Sequence, residues 1–405
     1  MKKFIMYGAG NIGRGFIGQV FSNNGYKVGF VDINKEVIAK LNQDKCYPVD
    51  VVSNDGVVEQ IVENVYGIDG TDLELVSNEI AEADIMATAI GVNVLKFIAK
   101  PISLGLKKRF ERSKKPFNII ICENLIGADE FLRNLIIEQI PEYKDRILSE
   151  IGFVEASIGR MVPVVPEEKK KENFLRVFVE PYNILPVDKD AFKGEIPEIS
   201  NLYPYSPFNL FIQRKLFMHN MSHALCAYLG KLRGYEYIYQ AVGDYDIKMV
   251  AYKALVQSAE AVAKENGVEI FDLLAHAENL LYRFSNVALG DTVARVGRDT
   301  KRKLSSNDRL IGAIKLADKF DIPNHYLCLG VAAGMHFSFD DDANSIEVKE
   351  FAKTNGAKET LLKYCDYSGK MTDLICSLYQ KIADGEKVET LIKYCEDLIG
   401  SKIRA

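Results

Sequence analysis

Apolar positions in the first 150 residues come in short, nearly unbroken runs. KFIMYG (3–8) ends on glycine and KVGFVD (27–32) on an acid; ADIMATAI (83–90) and FNIIICEN (117–124) are later runs of the same kind. Between them lie helix-period segments such as NKEVIAKLNQ (34–43) and NVLKFIAKPISLGL (93–106). Runs without polar alternation fit strands buried on both faces, and strands separated by helices predict a parallel sheet with crossovers. Two more strands are expected at IGFVEASI (151–158) and FLRVFVEPY (174–182), with EEKKKEN (167–173) between them as a solvated turn. Residues 181–207 carry five of the twelve prolines (181, 186, 197, 204 and 207) and mark the boundary between a domain 1–200 and a domain 201–405. From about 208 onward the pattern is helical, and proline recurs only at Pro323. The echo of ETLLKYC (359–365) in ETLIKYC (389–395) reads as two similar amphipathic helices, since a solenoid needs more copies. The fold class is therefore α/β in the first half and mainly α-helical in the second.

Composition narrows the partners. With 51 basic and 56 acidic residues the net charge is −5, which argues against nucleic acid. No run approaches the roughly 18–20 apolar residues of a membrane span. The start, MKKFIMYGAGNIGRG, turns glycine-rich too soon for a signal peptide. Seven scattered cysteines without a CxxC pair point to a reducing, cytoplasmic compartment.

Four segments carry candidate chemistry. GAGNIG places Gly8, Gly10 and Gly13 in G-x-G-x-x-G spacing after an apolar strand, and Asp32 ends the next strand. That is the context of a Rossmann-type dinucleotide-binding domain. Gly8 permits a tight turn, Gly10 a close approach of pyrophosphate, and Gly13 close helix–strand packing. Ala9, Asn11 and Ile12 complete the loop that opens the helix, whose free N–H groups suit phosphates. Asp32 can accept from a ribose 2′-hydroxyl and would repel a 2′-phosphate, so NAD is favoured over NADP; Asn34 agrees with this, while Lys35 is a nearby cation.

RKLFMHNMSHALCAYLGKL (214–232) reads as a helix. At about 100° per residue, with Lys215 at zero, His219, His223 and Asn220 lie at about 40°, 80° and 140°. A desolvated lysine can serve as a general base and an asparagine amide can donate to a developing alkoxide. His219 and His223 also form an H-x3-H pair, but Asn220 stands where a zinc-protease helix has Glu, so no metal is expected; a packed histidine is the plain alternative. Asn124, in IICENLIG (120–127), stands at the carboxyl end of a parallel strand, where it can meet a ligand or simply form a turn. In GDTVARVGRDTKRKLSSNDRL (290–310), Arg295, Arg298 and Arg302 fall within about 60° on a helix and Lys303 about 80° from Arg295, giving either a solvated basic face or a phosphate pocket.

These segments together resemble the polyol-specific long-chain dehydrogenases, over most of the chain. GAGNIGRGFIG is similar to that family's N-terminal signature, and KLFMHNMSHALCAYLGKL to its Lys-x4-Asn-x2-His helix, with Lys215, Asn220 and His223. CENL matches the segment whose asparagine joins the oxyanion hole, and RVGRDTKRKLSSNDRL and AAGMHF (332–337) match the phosphate-specific branch. IGRMVP (158–163) departs from the family's V-D-R-I-x-P: Gly159 replaces the aspartate, while Arg160 is kept. The resemblance implies metal-independent hydride transfer with NAD, between mannitol 1-phosphate and fructose 6-phosphate, in a monomer or small homo-oligomer. Lys215 would take the hydroxyl proton, Asn124 and Asn220 would stabilise the oxyanion, and His223 would position the oxygen. Arg160, Arg295, Arg298, Arg302 and Lys303 would hold the substrate. A same-family enzyme for a free polyol or a sugar acid is the nearest alternative; an idle NAD-binding regulator and a zinc alcohol dehydrogenase are more distant ones.

Overall fold

The computed structural model describes residues 1–404, with side chains to residue 400. The chain forms two compact units, Met1–Phe208 and a second beginning at Asn209.

The first unit contains eleven strands: β1 (Lys2–Tyr7), β2 (Tyr26–Asp32), β3 (Cys46–Ser53), β4 (Gly56–Glu63), β5 (Val65–Asp69), β6 (Ile85–Thr88), β7 (Phe117–Ile121), β8 (Ile151–Glu155), β9 (Val177–Val179), β10 (Leu185–Asp188) and β11 (Leu202–Tyr205). Six of them make an all-parallel sheet in the order β5-β2-β1-β6-β7-β8. Counted within the sheet this is the 3-2-1-4-5-6 order, and the chain reverses direction of travel beside β1. The apolar runs serve this arrangement directly. Phe4 and Met6 point into one core with Phe16, Phe30 and Ile120, whereas Ile5 points into the other with Val31, Ile80 and Phe117. Phe4 stacks on Phe21 at 3.7 Å between ring centres.

Three features differ from the sequence reading. A hairpin of β3 and β4 stands between the second helix and β5, and β9 joins it in parallel to give a sheet β4-β3-β9. Pro48 and Asp50 interrupt the apolar run of β3, and Val57, Val58 and Ile61 of β4 face solvent, which hides the pattern. EEKKKEN is not a turn but a short exposed helix, Glu167–Glu172, with i,i+3 pairs Lys170–Glu167 at 2.7 Å and Lys169–Glu172 at 2.9 Å. Finally, β11 pairs with β10, which ties residues 202–205 to the first unit and puts the division after Phe208, a few residues beyond the proline-based estimate.

The second unit is built of helices. Tyr245–Asn266 starts on the Asp244 side chain, which accepts from the amides of Asp246 and Ile247, and stops on Gly267 at φ 62°. His325–His336 is buried from His325 to Met335, so it is a core helix whose apolar character surrounds the axis. ETLIKYC lies in the helix Val388–Arg404, and ETLLKYC covers the end of Ala343–Thr360 and the turn Leu361–Cys365.

Candidate functional site

The loop after β1 begins with Gly8 at φ 109°, a conformation that favours glycine, and its amide donates to Val31 O at 2.8 Å. A Cβ on Gly13 would stand 2.0 Å from Gly8 O, and one on Gly18 would stand 2.4 Å from the Phe30 ring, so both glycines are dictated by packing. Gly10 is different. It is exposed and nothing lies within 4 Å of its Cβ position. The protein itself gives no reason for a bare backbone there, whereas a closely approaching phosphate does, and a dinucleotide fits the loop. Asp32 accepts from the Ala9 amide at 2.8 Å and from the Asn34 amide at 2.9 Å. Asn34 caps the next helix through the amides of Glu36 and Val37, at 3.1 and 3.2 Å. Lys35 is directed to Asp69 at 4.0 Å. Asn11 and Ile12 open the helix that continues through Gly13–Gly18 and Gln19–Asn23.

Asn124 follows β7 at the carboxyl end of the sheet. Its neighbour Glu123, absent from the sequence reading, is buried and clamps the loop after β6. Its two oxygens accept from the amides of Ile90 at 2.9 Å and Gly91 at 2.8 Å. The CEN triplet is the signal that could have found it. Arg160, expected to hold the substrate, has protein partners in this structure. It is buried, and its guanidinium donates to Glu180 O (3.0 Å), Gly15 O (3.0 Å) and Gln19 Oε1 (2.6 Å). Burial brings its pKa down to about 10. It braces the segment 158–163 against the glycine-loop helix. At Gly159, the Tyr182 ring lies 3.4 Å from where a Cβ would be.

In the second unit, Asn209–Gln213, Arg214–Asn220 and Met221–Leu232 follow one another as one continuous helix, but the middle stretch is a π turn. This corrects the angles taken from α geometry. A π turn pairs residue i with i+5, so Lys215 and Asn220 lie about one turn apart instead of about 140° around the axis. Such turns occur often at functional sites. His219 is buried, and burial, followed by the charges of Arg283, His223, His276 and Lys215, holds it well below the usual histidine range. His223 stacks on Phe284 at 4.6 Å with the rings 11° from parallel. Its Nε2 stands 3.4 Å from Asp291 Oδ2, longer than a good hydrogen bond. Burial lowers the His223 pKa, and Asp291 opposes the shift without cancelling it. Burial would raise the Asp291 carboxyl, but His223 and Arg295 outweigh it and hold it low. Asp291 also binds Arg295 directly.

The basic segment is not one helix. Val293–Gly297 ends, Asp299 adopts φ 62°, and a new turn runs Thr300–Lys303. The common face is therefore lost. Arg298 points to Asp341 at 3.8 Å, and Arg302 pairs with Asp299 at 2.8 Å and Asp308 at 3.3 Å; both are about half exposed. Lys303 is 6% exposed and donates to Val296 O at 2.6 Å. Burial, then the nearby Arg309 and Arg302, lowers its pKa to about 7. Arg295 and His223 meet at Asp291, and Arg295 and Lys303 both act on His223 electrostatically. Arg309, also missed, is buried and reaches Asn220 O at 3.4 Å. Among the described residues no group of three or more His, Cys, Asp or Glu is placed to hold a metal ion, and no helix is long and apolar enough to cross a membrane.

Comparisons with known proteins agree with this layout. Residues 2–201 match the family model described as mannitol dehydrogenase Rossmann domain, and residues 208–396 match mannitol dehydrogenase C-terminal domain. The chain is 35% identical over 362 residues, 89% of its length and 93% of the relative's, to a mannitol-1-phosphate 5-dehydrogenase of Caldanaerobacter subterraneus subsp. tengcongensis. It is 36% identical to one of Thermoanaerobacter pseudethanolicus, over 90% of this chain and 93% of that one. In fold it is similar to a D-sorbitol dehydrogenase (TM-score 0.79, 16% identity, covering 96% of this chain and 94% of that one). A Pseudomonas fluorescens mannitol 2-dehydrogenase, solved with NAD and D-mannitol, follows at TM-score 0.74, 15% identity, and coverage of 98% and 94%.

Proposed function

The chain belongs to the mannitol dehydrogenase family, as an NAD-dependent oxidoreductase, and from that premise we propose that it interconverts mannitol 1-phosphate and fructose 6-phosphate without a metal. The observation that carries the substrate pair is the common name of two relatives that are 35–36% identical across about nine-tenths of the chain. The chemistry is supported by the π turn that carries Lys215 and Asn220 in one short stretch of helix. In the oxidative direction neutral Lys215 takes the proton of the C5 hydroxyl. NAD, held by the glycine loop and Asp32, would supply the acceptor for the hydride that C5 gives up as Lys215 takes the proton. Asn220 donates to the oxygen as its charge grows, and the family likeness assigns the same role to Asn124. His223 orients that oxygen, and Asp291 and Phe284 orient His223. Arg295 and Lys303 are assigned the phosphate, as the cations that act on His223; Arg160, Arg298 and Arg302 are not. The glycine loop and Asp32 hold the dinucleotide.

The deciding assay is NADH consumption with fructose 6-phosphate compared with fructose, tagaturonate and fructuronate. The expected result is a kcat/KM for fructose 6-phosphate at least a hundredfold above the others, unchanged after prolonged chelation. A preference for an unphosphorylated ketose or a sugar acid, or activity restored only by added Zn²⁺, contradicts the proposal.

A further inference from the structure

Arg14 follows the last glycine of the fingerprint, and the fold leaves its guanidinium incompletely partnered. It is 7% exposed, and its Nε and Nη1 are buried with no hydrogen-bond partner. The two other deeply buried arginines of this unit are engaged: Arg109 donates to Ala81 O and Ala83 O, and Arg160 to Glu180 O, Gly15 O and Gln19. The Tyr47 hydroxyl donates to Arg14 O at 2.8 Å and also acts on the guanidinium electrostatically. Asp32 attracts this cation without filling the two buried donors, and buried donors without an acceptor are costly, so their retention asks for an acceptor that arrives from outside.

Geometry indicates which one. The Arg14 amide donates to Gly10 O at 2.9 Å, so Arg14 lies one α turn behind the open glycine. Helical side chains lean toward the N-terminus of their helix, which directs Arg14 back under the glycine loop. The carboxylate of Asp32 suits ribose hydroxyls at one side of this loop; a guanidinium suits phosphate oxygens. We propose that Arg14 binds the diphosphate of the dinucleotide and completes the cradle begun by Gly8, Gly10 and Gly13. The inference deepens the NAD-dependent reading above and rests on it.

The test uses the full chain with Arg14→Gln and Arg14→Lys. Binding of NADH, ADP and adenosine is measured by calorimetry, and melting temperature is measured without any ligand. Arg14→Gln should weaken NADH and ADP about tenfold or more, the scale of one charge-assisted contact, and leave adenosine unchanged. Its ligand-free melting temperature should stay level or rise, because buried donors without an acceptor have been removed, and Arg14→Lys should restore part of the NADH affinity. Unchanged NADH and ADP affinity in Arg14→Gln overturns the inference. So does a melting temperature lowered by several degrees with equal losses for ADP and adenosine, since that marks a structural brace. Wild-type chain that binds neither NADH nor ADP overturns the cofactor reading itself.

Discussion

Lys215 is the residue on which the proposed chemistry turns. Removing a positioned general base should cut kcat by about 10²- to 10⁴-fold. Lys215 is assigned to the reacting hydroxyl and the glycine loop to the cofactor's phosphates, so NADH affinity of Lys215→Ala should stay near wild type. Stopped-flow turnover alongside fluorescence titration separates the two, and near wild-type turnover would refute the role. At this scale the sequence was readable where function depends on near neighbours. Asp32, the Asn34 cap and the glycines act within one strand–turn–helix unit, so spacing alone finds them. Asp291 beside His223, and Arg309 beside Asn220, depend on chain segments brought together by folding, and spacing is silent about them.

Among elements, the turn after β1 separates two kinds of glycine. Gly13→Ala pushes a Cβ into Gly8 O and should cost about 1–3 kcal/mol of stability, the range for an overpacked site. Gly10→Ala meets no protein atom and should leave ligand-free melting unchanged, yet weaken NADH because the methyl group occupies the phosphate's approach. Melting curves without cofactor and NADH titrations of both variants test this; equal stability losses would contradict it. Strands buried on both faces announced themselves as apolar runs, and those of the main sheet at β1, β2, β6, β7 and β8 were legible for that reason. The helix wheel failed at Arg214–Asn220 and at 290–310, because one inserted π turn or one left-handed residue rotates everything beyond it.

For the molecule as a whole, a net charge of −5 means that attraction for a sugar phosphate must be local. Lys303 makes it pH-dependent. Burial lowers its pKa to about 7, so the cation is lost from the folded chain as pH rises through neutrality. KM for fructose 6-phosphate should therefore climb above pH 7 in wild type, and stay high and flat in Lys303→Met. The stability effect has a defined sign. Between about 7 and the ordinary lysine value of 10.5 the unfolded chain binds a proton that the folded chain does not, so this group's contribution to stability grows with pH. Wild type should melt below Lys303→Met by more at pH 6 than at pH 9. A difference that is independent of pH would show that Lys303 stays charged throughout. Only its position in the sequence was legible; its burial was not, since it depends on the break at Asp299.

The two amides held by Asp32 bear on any attempt to re-engineer the coenzyme. Its carboxylate works as a pin that fastens the start of the glycine loop to the loop after β2, through Ala9 and Asn34. Alanine at this position would admit a 2′-phosphate but would also pull the pin, leaving two backbone donors unmatched. Asparagine keeps an acceptor oxygen for one of the two amides and sets its NH₂ against the other, so it loses half of the pin while removing the charge that repels a 2′-phosphate. Asp32→Asn should therefore gain kcat/KM with NADPH while keeping NADH affinity closer to wild type than Asp32→Ala does. Steady-state kinetics with both coenzymes would reveal it, and identical behaviour of the two variants would mean that the pin carries no load.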